Sequence, residues 1–492
     1  MNSCYPFKEV VRRNRWFQMK IIKNYLYNAG YQLLAIIVPF ITMPYVSRVL
    51  RPIGVGDSSY TNSIIQYFVL IASVGVGYYG NREIAYLREN KYEMSKAFWE
   101  IQIVKTVTTV ISYILFVLFL SWYNQYNIYL WVQSLNIVAV AFDISWLYMG
   151  VENFKPTVVR NTIFKILSTI MIFVFVKNHN DVTIYILITA LSVLLGNMIL
   201  WPSIRDMLVR VKLKDLKPFK HFMPTVALFI PQAAIQVYVQ LNKTMLGIFV
   251  GTTASGFYQY SDNLVKMIMT IVTATGTVML PHVSNAFAKG DHKKVNELLN
   301  NSFDFVSFIA IPMAFGLAGI SLHIAPFFYG KGYGPVGEAM LIESVVIIII
   351  GWSNVIGTQY LLPVNRVKEF TNSVLLGAIV NIILNIPFIY LWGLKGAMMA
   401  TVISEFAVTF YQLYRVRKDV EFKNMFSNVP KYIISGIIMF IPVFYLDNTL
   451  RTNVITLAIE ILLGIVLYVV TIFILKPTIL VKAKQMIEQR RK

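Results

Sequence analysis

Apolar blocks of about twenty residues, divided by short polar stretches, recur along the whole chain. A helix needs about 20 such residues to cross a hydrocarbon core about 30 Å thick. The pattern predicts fourteen spans, near 24–50, 57–80, 99–121, 128–150, 156–177, 182–203, 223–250, 255–285, 298–322, 338–362, 371–391, 395–415, 430–446 and 452–475. The span at 430–446 is short and is interrupted by Pro442. A transmembrane barrel would instead alternate apolar and polar positions in strands of about ten residues. The chain therefore reads as an all-α polytopic membrane protein. Its composition agrees: 492 residues, 57% hydrophobic and 14% charged, are far too apolar for one soluble core.

The net charge of +20 brings nucleic acid to mind, but its placement excludes that class. Assigning Lys and Arg to alternate loops puts 34 of the 44 on the side of the N-terminus and 6 on the other. The remaining four, Lys105, Lys165, Lys243 and Lys266, lie inside spans. Basic loops resist translocation, so this bias fixes the first side, with both termini, as cytoplasmic. The basicity is topology, and stretches such as RVKLKDLKPFK (210–220) are suited to anionic membrane lipids.

Every loop on the sparsely charged side is short, the longest being HIAPFFYGKGYGPVGE at 323–338. No soluble domain hangs on either side, so function has to be performed between helices. The single cysteine, Cys4, allows no internal disulfide. The first apolar stretch is too long for a cleavable signal and lacks a small-residue cleavage site. Residues 1–18 are unlike the apolar chain after them and read as a basic extension before a natural start at Met19.

A faint repeat divides the chain. GDSSYTNS (56–63) and GFYQYSDN (256–263) share a glycine, a tyrosine, a hydroxyl residue and an asparagine, 200 residues apart. Each comes after a span with internal prolines, Pro39 and Pro44 in one and Pro224 and Pro231 in the other. Proline-interrupted helices at matching places in two halves mark transporter architecture. The expected divisions are 19–210 and 211–420 as two six-helix bundles, 421–475 as two further helices, and 476–492 as a basic tail.

Polar residues repeat at helical spacing. Gln232, Gln236, Gln240 and Lys243 share one face, as do Asn24, Asn28 and Gln32, and Asn381 with Asn385. Such amides serve either as hydrogen-bonding glue between helices or as the wall of a hydrated cavity. Lys243 is the deepest question, because a charge near the bilayer centre costs roughly 2.5–3.5 kcal/mol on insertion scales. It falls about ten residues before the centre of the 250–255 hairpin and Asp262 about ten after, so the two come at similar depth. Lys266 is four residues after Asp262, the favourable acid-first spacing. Asp262 can neutralise either lysine, and one acid facing two lysines leaves a net positive charge. Arg48 ends the first span, placed to snorkel or to line the cavity, and Lys105 is expected to snorkel. Asp143, Arg160 and Lys165 are expected to form an ionic cluster at the inner mouth. Glu343 and Glu405 are intramembrane acids, either carriers of a coupling ion or partners of neighbouring groups.

Five stretches together carry a resemblance: PYVSRVLRPIGVG (44–56), GYYGNREIA (77–85), DISWLYMGVENFKPTVVRN (143–161), VYVQLNKTMLGIFVG (237–251) with GFYQYSDNLVKM (256–267), and LPVNRVKEFTNSVLLGAIVNIILNIP (362–387). In order and spacing they resemble the polysaccharide transporter family, the Wzx-type flippases of the MOP (multidrug/oligosaccharidyl-lipid/polysaccharide) superfamily. The resemblance covers residues 19–480. It implies two pseudo-symmetric six-helix bundles in a V plus two C-terminal helices, in a bacterial cytoplasmic membrane. It implies an undecaprenyl-diphosphate-linked oligosaccharide as cargo, with polysaccharide polymerase and export proteins as partners, and no cofactor. Asp57 departs from the apolar residue that relatives more often carry there. With that cargo, Lys243, Lys266 and Arg48 are the expected phosphate binders and Gln236, Gln240, Asn28 and Gln32 the expected polar wall.

A lipid II or teichoic-type flippase shares the diphosphate handle. A multidrug cation antiporter would present acids to its first cavity, where the first two spans hold none beyond Asp57. A membrane polymerase or glycosyltransferase needs catalytic groups in a substantial loop, and the five histidines, His179, His221, His282, His292 and His323, are scattered. The charge bias generates a direct test. With Cys4 replaced, a cysteine at Lys331 is expected to react with an impermeant thiol reagent in intact cells and one at Lys214 to stay silent; the reverse pattern rejects the topology.

Overall fold

A computed structural model describes residues 5–480, apart from the side chains at 5–29, 31–33, 230–232, 234, 235, 277 and 278. The side chains of the 1–18 stretch and of Asn24, Asn28, Gln32 and Gln232 lie outside the described residues, as does the tail beyond 480. Among the described residues every regular element is a helix. Hydrocarbon offers no partner for a free N–H or C=O, and a helix satisfies both within itself. Among the described residues ten helices are long and apolar enough to cross a membrane, or eleven if the bent pair Gly334–Glu343 and Val346–Leu361 counts as one span.

This count is lower than fourteen partly because some spans run on from one another without a loop. The helix Tyr5–Ser73 passes through the first two and is broken only at Arg51, with φ 60° and ψ 172°. Arg51 precedes Pro52, whose ring disfavours the α region for the residue before it. The helix Val367–Val416 likewise holds the eleventh and twelfth, broken at Gly393 with φ 55° and ψ −126°, a conformation open to glycine. The span with Pro442 is an unbroken helix, Val429–Thr449.

The chain divides into two compact units. Unit 1 takes in the described residues through Leu50 together with Thr61–Gln236; unit 2 takes in Arg51–Tyr60 and the described residues from Val237 onward. Unit 1 packs around Phe98, Trp146, Tyr148 and Ile84, all essentially fully buried. The segment before the Phe222–Phe249 helix is tied into this unit by one acid. Glu100, fully buried, accepts the Lys217 backbone N–H at 2.7 Å, the Lys220 ammonium at 2.7 Å and His221 Nε2 at 2.8 Å. Tyr79 Oη stands 2.7 Å from His221 Nδ1. Burial holds the His221 imidazole below its ordinary pKa. As the neutral ring it donates from Nε2 and accepts the Tyr79 hydroxyl at Nδ1.

In unit 2 the two copies of the repeated motif meet. A Cβ on Gly56 would stand 2.5 Å from the Thr252 carbonyl oxygen, and one on Gly256 would stand 2.9 Å from Gly56 Cα. Ser59 Oγ donates to the Ser255 carbonyl at 3.1 Å, and Thr252 Oγ1 donates to Asp57 Oδ1 at 2.7 Å. Asp57 therefore has a specific structural partner. A methyl group cannot enter this backbone contact without moving a helix, and overpacking typically costs about 1–3 kcal/mol. Gly256→Ala is expected to lower the thermal unfolding midpoint of the purified protein by several degrees. Gly334→Ala, whose added Cβ meets nothing within 4 Å, is expected to leave it unchanged. Equal midpoints would show that the contact yields freely.

Candidate functional site

The polar centre of unit 2 is assembled from four helices. Phe222–Phe249 contributes Tyr238, Asn242 and Lys243; Thr252–Ala288 contributes Tyr258, Ser261, Asp262 and Lys266; Gly334–Glu343 contributes Glu343; Val367–Val416 contributes Asn381, Asn385, Thr401 and Glu405. One half is a neutral lattice. Asn242 Nδ2 donates to Tyr258 Oη at 2.6 Å and to Thr401 Oγ1 at 3.1 Å. Asn385 Nδ2 donates to Asn242 Oδ1 and, at 2.6 Å, to Asn381 Oδ1. Asn242, Asn381 and Asn385 are all buried. The Asn381–Asn385 stripe is thus interhelical glue, an expected role for amides away from water.

The other half is ionic. Lys266 Nζ pairs with Asp262 Oδ2 at 2.8 Å. Glu343, buried, accepts the Ser261 hydroxyl at 2.5 Å. Glu405 accepts the Tyr238 hydroxyl at 2.8 Å. Lys243 is 8% exposed and lies in the electrostatic reach of Asp262 and Lys266. No carboxylate among the described residues comes within 4.0 Å of its ammonium. Of the two lysines that Asp262 can neutralise, the structure gives it Lys266. Gln240, one turn before Lys243, is half-buried, and its Oε1 has no hydrogen-bond partner among the described residues.

Unit 1 separates residues that the sequence groups together. Asp143 faces Lys105, not Lys165: Lys105 Nζ donates to the Asp143 carbonyl at 2.5 Å and stands 3.6 Å from Oδ2. Lys105 is 2% exposed and does not snorkel, because its chain turns inward to that partner. The Arg160 guanidinium donates to Asn161 Oδ1 and to Asn197 Oδ1. Lys165 donates to the Ala35 carbonyl at 3.3 Å and is no part of this cluster. Arg48 is exposed at the end of its span, and Gln236 is exposed beside a cavity of this unit. Lys105, Asn242 and Thr401 were not legible as site residues; only the charge of Lys105 inside an apolar run marked it.

The chain matches the family model described as polysaccharide biosynthesis protein over residues 21–287. It is 23% identical over 392 residues to the putative O-antigen transporter of Shigella dysenteriae, covering 77% of this chain and 96% of that protein. It is 22% identical over 407 residues to the putative O-antigen transporter of Escherichia coli K12, covering 82% and 98%. A solved structure, the lipid II flippase MurJ in an inward closed conformation, superposes with a TM-score of 0.72 over 92% of this chain and 98% of that one. At 19% identity that likeness shows the fold alone. The family match spans more than half of the chain, and the all-helical fold with its intramembrane charges fits it: the chain belongs to the polysaccharide biosynthesis protein family.

Proposed function

We propose that this protein is a flippase for lipid-linked oligosaccharide, working by alternating access rather than as an enzyme. Its cargo is an undecaprenyl-diphosphate-linked oligosaccharide of the kind used for capsule, exopolysaccharide or O-antigen. It works in the bacterial cytoplasmic membrane with both termini in the cytoplasm, and passes its cargo on to polymerase and export proteins.

The observation that carries this reading is Lys243. A buried ammonium with no carboxylate against it is costly in an apolar medium, because moving an ion out of water still costs several kcal/mol after relaxation. A diphosphate arriving as cargo supplies the missing counter-charge, and an ammonium binds phosphate as a point charge. Gln240 adds an unpartnered amide one turn away. Asp262, Glu343 and Lys266 form the support beside this lysine, and Glu405 is held by Tyr238.

Because Asp262 already pairs with Lys266, Lys243→Gln is expected to leave the protein level near wild type. Loss of a hydrogen bond to a charged group is worth about 1.5–3 kcal/mol. Complementation of a flippase-null strain is therefore expected to fall by about tenfold or more, with partial recovery in Lys243→Arg. Lys243→Gln combined with Asp262→Asn is expected to fold and to remain deficient. Normal transport in that double variant would remove Lys243 from the mechanism.

A further inference from the structure

Unit 1 holds a cavity of about 440 Å³ whose lining includes Gln66, Tyr78, Lys105, Asn136, Asp143 and Gln236. That volume falls within the range of about 300–1,000 Å³ seen for small-molecule sites. We propose that this cavity is a subsite for neutral sugar, taking hydroxyl groups of the cargo's glycan. The inference rests on the flippase reading and adds a second recognition element, chemically unlike Lys243.

The charge in the cavity is balanced. Lys105 spends its ammonium on Asp143, at the carbonyl oxygen and near Oδ2, and is itself buried. Asp143 Oδ1 takes the Ser145 backbone N–H at 3.0 Å, and 35% of the Asp143 side chain stays exposed. A carboxylate can only accept, and a hydroxyl group is its natural donor. The same carboxylate repels phosphate, while Lys105 beside it cancels the pull on a cation. With both charges answered, the polar part of the lining is left to neutral hydrogen-bonding groups, beside an apolar wall of Val69, Leu70, Val140, Val193 and Phe229 that suits the apolar face of a sugar ring.

The amides agree. The Asn136 and Gln236 side chains make no hydrogen bond to any described residue, and Gln66 gives one of its two N–H groups to Asn62 Oδ1 at 3.3 Å. Each amide offers two donors and an acceptor, the complement of vicinal sugar hydroxyls. Tyr78 is 60% exposed and gives the cavity a flat aromatic face, which suits the apolar side of a pyranose ring. Gly77, which also lines the cavity, has nothing within 4 Å of a would-be Cβ, so the space beside it is open.

The test uses the full-length protein in nanodiscs and two probes, undecaprenyl diphosphate and undecaprenyl diphosphate bearing one N-acetylhexosamine. Wild type is expected to bind the glycosylated lipid about tenfold more tightly, on the order of the net worth of one neutral hydrogen bond. Asn136→Leu removes an amide and Gly77→Leu fills the open space. In both, the ratio is expected to fall to about one, with affinity for the bare lipid unchanged. Lys243→Gln is expected to weaken both probes alike. A wild-type ratio of one overturns the subsite, as does a ratio that survives both cavity variants or an equal loss for the two lipids in each. Failure of wild type to bind either lipid rejects the flippase reading itself.

Discussion

A backbone amide without a partner cannot be left in hydrocarbon, and this constraint shapes the rest of the molecule. It commits the chain to helices and leaves chemistry to side chains. It also explains how the breaks are made. At Arg51 and Gly393 the helix turns within one residue, so few backbone groups are freed, and at Val74–Gly75 the positive φ values of 39° and 73° do the same.

The second demand is on charge. Buried ions persist where a partner or a ligand answers them. Glu100 is answered three times, Asp143 is answered by Lys105, and Asp262 by Lys266. Lys243 stands apart from this pattern, which is why it directs attention to an anionic cargo. Asn242, Asn381, Asn385, Thr401 and Tyr258 hold the neighbouring helices through neutral hydrogen bonds, so no charge is spent on that scaffold.

The helical membrane class was legible because bilayer thickness converts directly into run length, though ten or eleven helices of that length, not fourteen, stand separately among the described residues. The Asp262–Lys266 pair was legible too, since four residues along one helix fix the geometry whatever the neighbours do. Partners across helices were not. Asp143 and Lys165 lie close in sequence, yet helix rotation turns Lys165 toward Ala35 and brings Lys105 to Asp143 from another helix. The two motif copies could be matched by letters, but their physical contact through Gly56 and Gly256 could not, because a glycine does not announce what it lies against. The boundary at Gly393 was legible, between the spans at 371–391 and 395–415, but not that one helix runs through it with a single turned residue.

The Glu100 clamp sets a timetable for synthesis. Its histidine partner lies 121 residues downstream. At translation rates of about 5–20 residues per second, Glu100 waits roughly 6–24 s for His221 to be made. During that interval unit 1 carries an unanswered acid where its finished form has none. Whatever guards the nascent chain, whether the insertion machinery, local water or a transient proton on the carboxyl group, has to cover that wait. A pause in translation shortly before Lys217 would prolong it.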